Sequence, residues 1–204
     1  MHDVPIAAPS SKEVGGRASR LSRRLAWVAI ALLACMATSA GSASRALPAS
    51  LKNARIEVFK AKRQLVVYSG SSALKTFRIG LGSDPSSPKR RSGDRATPEG
   101  GYFISHKNPR SQYFLSMGIS YPGIDDAKRG LRDRAISKAQ YDQIVSALRQ
   151  HLPPPANTAL GGNIFVHGRG SSTDWTWGCI ALDDADMREL YDAIEVGTPI
   201  TIHP

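Results

Sequence analysis

Between residues 54 and 119 the chain alternates short β-branched or aromatic runs with turn-forming residues, and this rhythm confines it to a largely antiparallel β architecture. Ile56-Glu57-Val58-Phe59 and Leu65-Val66-Val67-Tyr68 flank the turn at residues 60–64, and Leu74-Lys75-Thr76-Phe77-Arg78-Ile79 follows Ser69-Gly70-Ser71-Ser72. Residues 80–100 are rich in Gly, Pro, Ser and charge and read as a long loop across the surface. Strand-like segments resume at Tyr102-Phe103-Ile104-Ser105 and at residues 113–119. A helix is predicted over about residues 137–150, where Ser137 and Gln140 form a capping box and Tyr141, Ile144, Val145 and Leu148 make a stripe of helical period. Pro153-Pro154-Pro155 stops it. Asn163-Ile164-Phe165-Val166-His167 then reads as a buried strand with His167 at its end. A second helix over about 183–194, with acids at its positive N-terminus, and a strand at Thr198-Pro199-Ile200-Thr201-Ile202 complete the chain. The expectation is a mainly β domain decorated by two or three helices, with no internal repeat.

The first 46 residues set the expected compartment. Arg17, Arg20, Arg23 and Arg24 precede a 13-residue apolar run at 25–37, and small residues follow to Ala46. A charged region, a short apolar region and a small-residue zone describe a secretory signal peptide. The run is shorter than the roughly 20 residues that span a bilayer. Cleavage after Ala40, Ala43 or Ala46 is compatible with the pattern. An uncleaved anchor, or lipidation at Cys35 in the loose lipobox Leu32-Leu33-Ala34-Cys35, are the alternatives. Each version exports residues 47–204 to the periplasm as one domain. Of the net charge of +10, six Lys/Arg against two Asp/Glu lie in residues 1–46, which leaves +6 on the remainder. The basic residues, such as Lys89-Arg90-Arg91 and Lys128-Arg129, read as scattered through loops. No aromatic-interleaved basic helix or nucleic-acid motif is present, so nucleic acid is not an expected partner. An anionic envelope polymer suits this charge.

The chemistry concentrates at residues 163–182. Cys179 is the only cysteine beyond the leader, so it has no intrachain disulfide partner there. It lies twelve residues after His167, in Thr176-Trp177-Gly178-Cys179-Ile180-Ala181-Leu182. Most free cysteines are small buried hydrophobes. A thiol of ordinary pKa is mostly protonated at neutral pH, so a nucleophilic cysteine needs a base. His167 is that base if residues 169–177 fold back. Gly168 and Gly178 remove side chains beside the histidine and the cysteine. The amides of Gly178 and Cys179 are then placed to receive a tetrahedral oxyanion. The histidines show no metal-ligand spacing, so no metal and no cofactor are expected.

Ile164-Phe165-Val166-His167-Gly168, a spacer and Thr176-Trp177-Gly178-Cys179 resemble the catalytic signature of the L,D-transpeptidase (YkuD-like) domain. Thr97-Pro98-Glu99-Gly100-Gly101-Tyr102-Phe103-Ile104 resembles its Thr-Pro-x-Gly segment, and residues 107–122 resemble an exported proteobacterial subgroup. The resemblance covers roughly residues 54–203. It implies a β-sandwich with helical decoration and peptidoglycan tetrapeptide stems as substrate. Cys179 would attack the peptide carbonyl at an L-to-D centre, D-alanine would leave, and the acyl group would pass to an amine or to water. By the same resemblance His167 is the base, the Gly168 carbonyl orients its ring, and Gly178 and Cys179 supply the oxyanion site. Thr176, Trp177 and Arg169 are candidate substrate contacts.

Two positions depart from the family pattern. Trp177 stands where a histidine is usual, and Ala181 where an arginine commonly follows the cysteine by two residues. Arg169 or Arg78 would be the replacement charge. The Arg-less pattern leaves open a hydrolase acting on wall peptides or on wall-linked protein, and a non-catalytic wall-binding module is the third reading. Packing is the simpler role for Trp175 and Trp177. Asp174 is a lesser candidate partner for His167, His106 reads as structural, and Tyr121-Pro122-Gly123 reads as a turn.

Overall fold

The computed structural model describes residues 46–204; the leader and Cys35 lie outside the described residues. The strands are β1 (Ala54–Phe59), β2 (Gln64–Ser69), β3 (Ser72–Arg78), β4 (Gly100–Ser111), β5 (Phe114–Ile119), β6 (Phe165–His167), β7 (Ile180–Ala181) and β8 (Pro199–His203). The helices are α1 (Ile124–Arg132), α2 (Lys138–Arg149) and α3 (Asp184–Ala193). All eight strands join one sheet in the order β3-β2-β1-β8-β4-β5-β6-β7.

Strand β4 is where this sheet curls. Residues 100–103 pair with β8. From Ile104 onward β4 pairs with β5, with register shifts between Ile104 and His106 and between Asn108 and Ser111. Such irregularities bend a strand and increase its twist. The curl lets both halves of the sheet share one core. Ile56, Val58, Leu65, Val67 and Phe77 from one half pack in the same cluster as Ile104, Leu115, Met117, Val166 and Ile180 from the other. In β1 buried and half-buried residues alternate, the period-two pattern of a strand with one face inward. The last strand, β8, is central: it runs parallel to β1 and antiparallel to β4. Its Ile200 and Ile202 are essentially fully buried, each contributing about 1.5–3 kcal/mol of hydrophobic stabilisation.

The capping box of α2 is present: Gln140 N–H donates to Ser137 Oγ at 3.2 Å and Ser137 N–H donates to Gln140 Oε1 at 2.9 Å. Two local expectations are corrected. Lys128 and Arg129 lie in α1, not in a loop. This short helix packs through Ala127, Gly130 and the partly buried Leu131, and a Cβ on Gly130 would lie 3.0 Å from the Leu160 side chain. Its start is held by Asp126, whose Oδ2 accepts the Gly123 N–H at 3.0 Å.

The segment at 80–99 is also no mere surface loop. Leu81, Ala96 and Thr97 are buried, and Gly80 and Gly82 form bridges with Ala181 and Thr176. Buried Lys60 gathers the segment, donating to the Ser87 carbonyl at 2.9 Å, the Thr97 carbonyl at 3.2 Å and Glu99 Oε1 at 2.6 Å. Buried Lys89 does the same with Asp94 Oδ1 at 2.8 Å. Composition announced a loop, but its few apolar residues and Lys60, from the turn after β1, bind it against the strands, while Lys89 ties it internally to Asp94.

Candidate active site

Strand β6 carries His167 to its C-terminal end, with Ile164 and Val166 buried in the core before it. The ring is 2 % exposed. His167 Nδ1 and the Gly168 carbonyl are 2.7 Å apart. Burial pushes the imidazole below its ordinary 6.5, and the Gly168 carbonyl only partly opposes this. The ring is therefore neutral at pH 7. Because a carbonyl only accepts, the ring hydrogen is assigned to Nδ1, which leaves Nε2 as the free base. Tyr113 and Trp175 hold the ring, with centroids at 4.7 Å and 5.6 Å from it. Gly168 is required for space: a Cβ there would meet Asp184 Oδ1 at 2.5 Å and the Tyr113 carbonyl at 3.0 Å.

Residues 176–179 are bound from beneath by the segment at 80–99. Gly178 has φ +120°, and a Cβ on it would lie 2.6 Å from the Ala96 carbonyl oxygen. Both facts require glycine. Thr176 is buried; its hydroxyl donates to the Cys179 carbonyl at 2.7 Å and accepts the Gly178 N–H at 3.1 Å. Thr176, expected as a substrate contact, is turned into the loop and ties it together, and the Gly178 amide, expected to receive an oxyanion, is already engaged. The Cys179 N–H makes no hydrogen bond among the described residues, so it is a free donor beside the thiol.

Cys179 is half-buried. Its thiol lies 3.7 Å from the Asn163 carbonyl oxygen, to which it donates. Burial pushes the thiol above its ordinary 9.0, with the Phe165 amide and the charge of Lys89 acting in the other direction. The resting thiol is thus protonated and turned toward Asn163. Cys179 and His167 nevertheless line one cavity of about 350 Å³, together with Asn108, Ser111, Gln112 and Tyr113. Ser116 and Phe165 complete its wall. A larger cavity, of about 510 Å³, lies between β4, β8 and the helices α1 and α2 and contains neither residue of this pair.

The tip of the β4–β5 hairpin, which supplies Asn108, Ser111, Gln112 and Tyr113, was not anticipated as part of the site. Its sequence signal is only a polar turn between two strands. The fold-over that places it above His167 is seen in the pairing of Ser116 with His167 across β5 and β6.

Other anticipated residues are placed elsewhere. Asp174 does not reach His167; it holds Arg63 through Nε at 3.0 Å and Nη2 at 2.8 Å, and accepts the Leu81 N–H at 2.9 Å. Arg169 is exposed and outside the cavity lining, with its N–H donating to Asp184 Oδ1 at 2.8 Å. Arg78 donates to the Ser172 carbonyl at 3.2 Å. Trp175 donates from Nε1 to the Gly170 carbonyl at 3.1 Å. Trp177 is not a packing residue: it is 70 % exposed, with the Arg95 guanidinium 5.0 Å above its ring. Ala181 is fully buried, and its N–H and carbonyl both bond to Gly80. His106 contacts Ser105 Oγ at 3.0 Å and packs edge-on to Phe165.

Known structures are similar to this chain at low identity. Pgp2 from Campylobacter jejuni, a helical cell shape determining protein, superposes with a TM-score of 0.51 at 19% identity, over 80% of this chain and 52% of that one. An L,D-transpeptidase from Xylanimonas cellulosilytica gives 0.46 at 16% identity, over 78% and 64%. Bd1075 from Bdellovibrio bacteriovorus gives 0.49 at 23% identity, over 78% and 54%. The chain therefore spans between about half and two-thirds of the length of these structures. No curated protein matches it in sequence. Residues 53–202 match the L,D-transpeptidase catalytic domain (YkuD), and with most of its length inside that match the chain belongs to this family.

Proposed function

We propose that this chain is an exported peptidoglycan L,D-transpeptidase that works through a Cys179 acyl-enzyme on tetrapeptide stems. The observation that carries the reading is a neutral, Nδ1-anchored His167 and the Cys179 thiol lining one cavity. In the proposed cycle the thiol rotates from Asn163 and gives its proton to His167 Nε2. The sulfur then adds to the peptide carbonyl of the stem, and the oxyanion is received by the Cys179 N–H. The imidazolium returns the proton to the departing D-alanine amine, which leaves a thioester. An amine acceptor, from another stem or a wall-anchored protein, attacks the thioester while His167 takes its proton, and free Cys179 is restored. Export through residues 1–46 into the periplasm belongs to the same proposal, as does a contribution to cell-wall biogenesis and cell shape.

Hydrolysis is the second reading, because water attacking the same thioester yields a carboxypeptidase or a peptidase that releases wall-linked protein. It is kept open because both readings share the thioester and because Ala181 stands where the family commonly has an arginine. Incubation with disaccharide-tetrapeptide and an amine acceptor, read by mass, tests both. Cross-linked product supports transfer, D-alanine release with free tripeptide supports hydrolysis, and neither product from active-site-intact protein refutes the proposal. A Cys179→Ala variant that still forms product refutes the acyl-enzyme.

A further inference from the structure

We propose that Arg95, stacked on Trp177, is a specificity-determining residue that binds a carboxylate of the peptide substrate beside the nucleophile. The inference rests on the peptidoglycan reading above. Two features of the surface around Cys179 carry it.

The first is charge. Several cations of the surrounding elements are matched, Lys60 with Glu99, Arg63 with Asp174 and Lys89 with Asp94, and Arg78 is bonded to the Ser172 carbonyl; Arg90, Arg91 and Arg169 carry unmatched guanidinium groups among the described residues, but of these arginines Arg95 is the one placed over the exposed ring of Trp177. The Arg95 guanidinium makes no ion pair and no hydrogen bond among the described residues. Its neighbour Asp94 gives it no counterion, because that carboxylate is committed to Lys89 and to the Arg90 and Arg91 amides.

The second is geometry. Arg95 has φ +60°, a left-handed conformation that a non-glycine residue adopts only when its surroundings impose it. Its carbonyl accepts the Asp84 N–H at 3.2 Å, and the next residue, Ala96, packs against Gly178. Arg95 is thus fixed to the loop that bears the nucleophile. Its guanidinium lies 5.0 Å over Trp177, whose ring is still 70 % exposed. Stacking on an aromatic face restrains the fork while leaving its edge N–H groups free, which is the arrangement that grips a carboxylate with two hydrogen bonds. A tryptophan left this open beside a nucleophile is also a platform for the apolar face of a substrate. The pair lies outside the residues that line the catalytic cavity, so it would hold a part of the substrate away from the scissile bond.

The test uses the full chain carrying Cys179→Ala, which binds without turnover, and two tetrapeptide stems that differ only in having free or amidated side-chain and α-carboxylates. Calorimetric titration is expected to show that adding Arg95→Gln weakens the free-carboxylate peptide about tenfold and leaves the amidated one unchanged. Trp177→Ala should weaken the same peptide, and Trp177→Phe should restore most of the loss. Equal affinities with and without Arg95, or an equal loss for both peptides, overturn the assignment alone. If neither peptide binds the parent, the peptidoglycan reading fails and this inference falls with it.

Discussion

The ion pair between Arg63 and Asp174 joins the turn after β1 to the segment between His167 and Cys179, and its two ends are predicted to be unequal. Asp174 accepts the Arg63 guanidinium at 3.0 and 2.8 Å and also the Leu81 N–H at 2.9 Å. The two side chains are 34 % and 24 % exposed, so the ion pair itself is worth only about 0.5–1 kcal/mol. Asp174→Ala additionally strands the Leu81 amide in a part-buried setting, which costs about 1–3 kcal/mol more. Arg63→Gln leaves that amide satisfied. The expectation is a loss of about 2–3 kcal/mol for Asp174→Ala and about 1 kcal/mol or less for Arg63→Gln. Urea unfolding with a common slope measures both. Asp174 precedes Trp175, which packs edge-on to the His167 ring at 5.6 Å, so Asp174→Ala should also lower turnover more than Arg63→Gln does. Equal losses in the two variants, or a larger loss for Arg63→Gln, would refute this account.

His167→Ala should cut turnover by about 10²–10⁴-fold, as for a positioned acid/base group, and near-normal turnover would remove His167 as the base. Because burial lowers the His167 pKa, the acid limb of the kcat/KM profile should lie below 6.5, and a limb above that value would contradict the assigned environment. The same burial should make the folded chain less stable as pH falls from 6.5 through the lowered pKa, since the unfolded state binds the extra proton there; urea midpoints at pH 7 and pH 5 in wild type and His167→Gln test this. Gly178→Ala, at φ +120° and 2.6 Å from the Ala96 carbonyl, should destabilise far more than Gly93→Ala, at φ +77° with nothing within 4 Å, and matched thermal melts separate packing from backbone strain. Ala181→Arg is expected to lower the unfolding midpoint rather than redistribute products, because Ala181 is fully buried and an unpaired charge there is costly; an unchanged midpoint would refute this.

Local sequence was sufficient for what depends on neighbours along the chain. The meander β1–β3 follows from β-branched runs and turn residues, and α2 from Ser137, Gln140 and one apolar stripe. The candidate pair His167 and Cys179 was legible from glycine-flanked motifs, since those types carry their chemistry in the residue itself. Helix α1 was not anticipated: it has only 9 residues, and its inward face is the short series Ala127, Gly130 and Leu131, in which only one residue is large and apolar. Equally hidden were the partners of Asp174, the engagement of the Gly178 amide by Thr176, and the hairpin tip that brings Tyr113 against His167. Each joins residues through hydrogen-bond or ring geometry rather than through periodicity. Asp174 and Arg63 are 111 residues apart, and no local preference of either encodes that meeting. The tertiary structure decided it, because the curl at β4 and the central insertion of β8 set which loops share one end of the sheet.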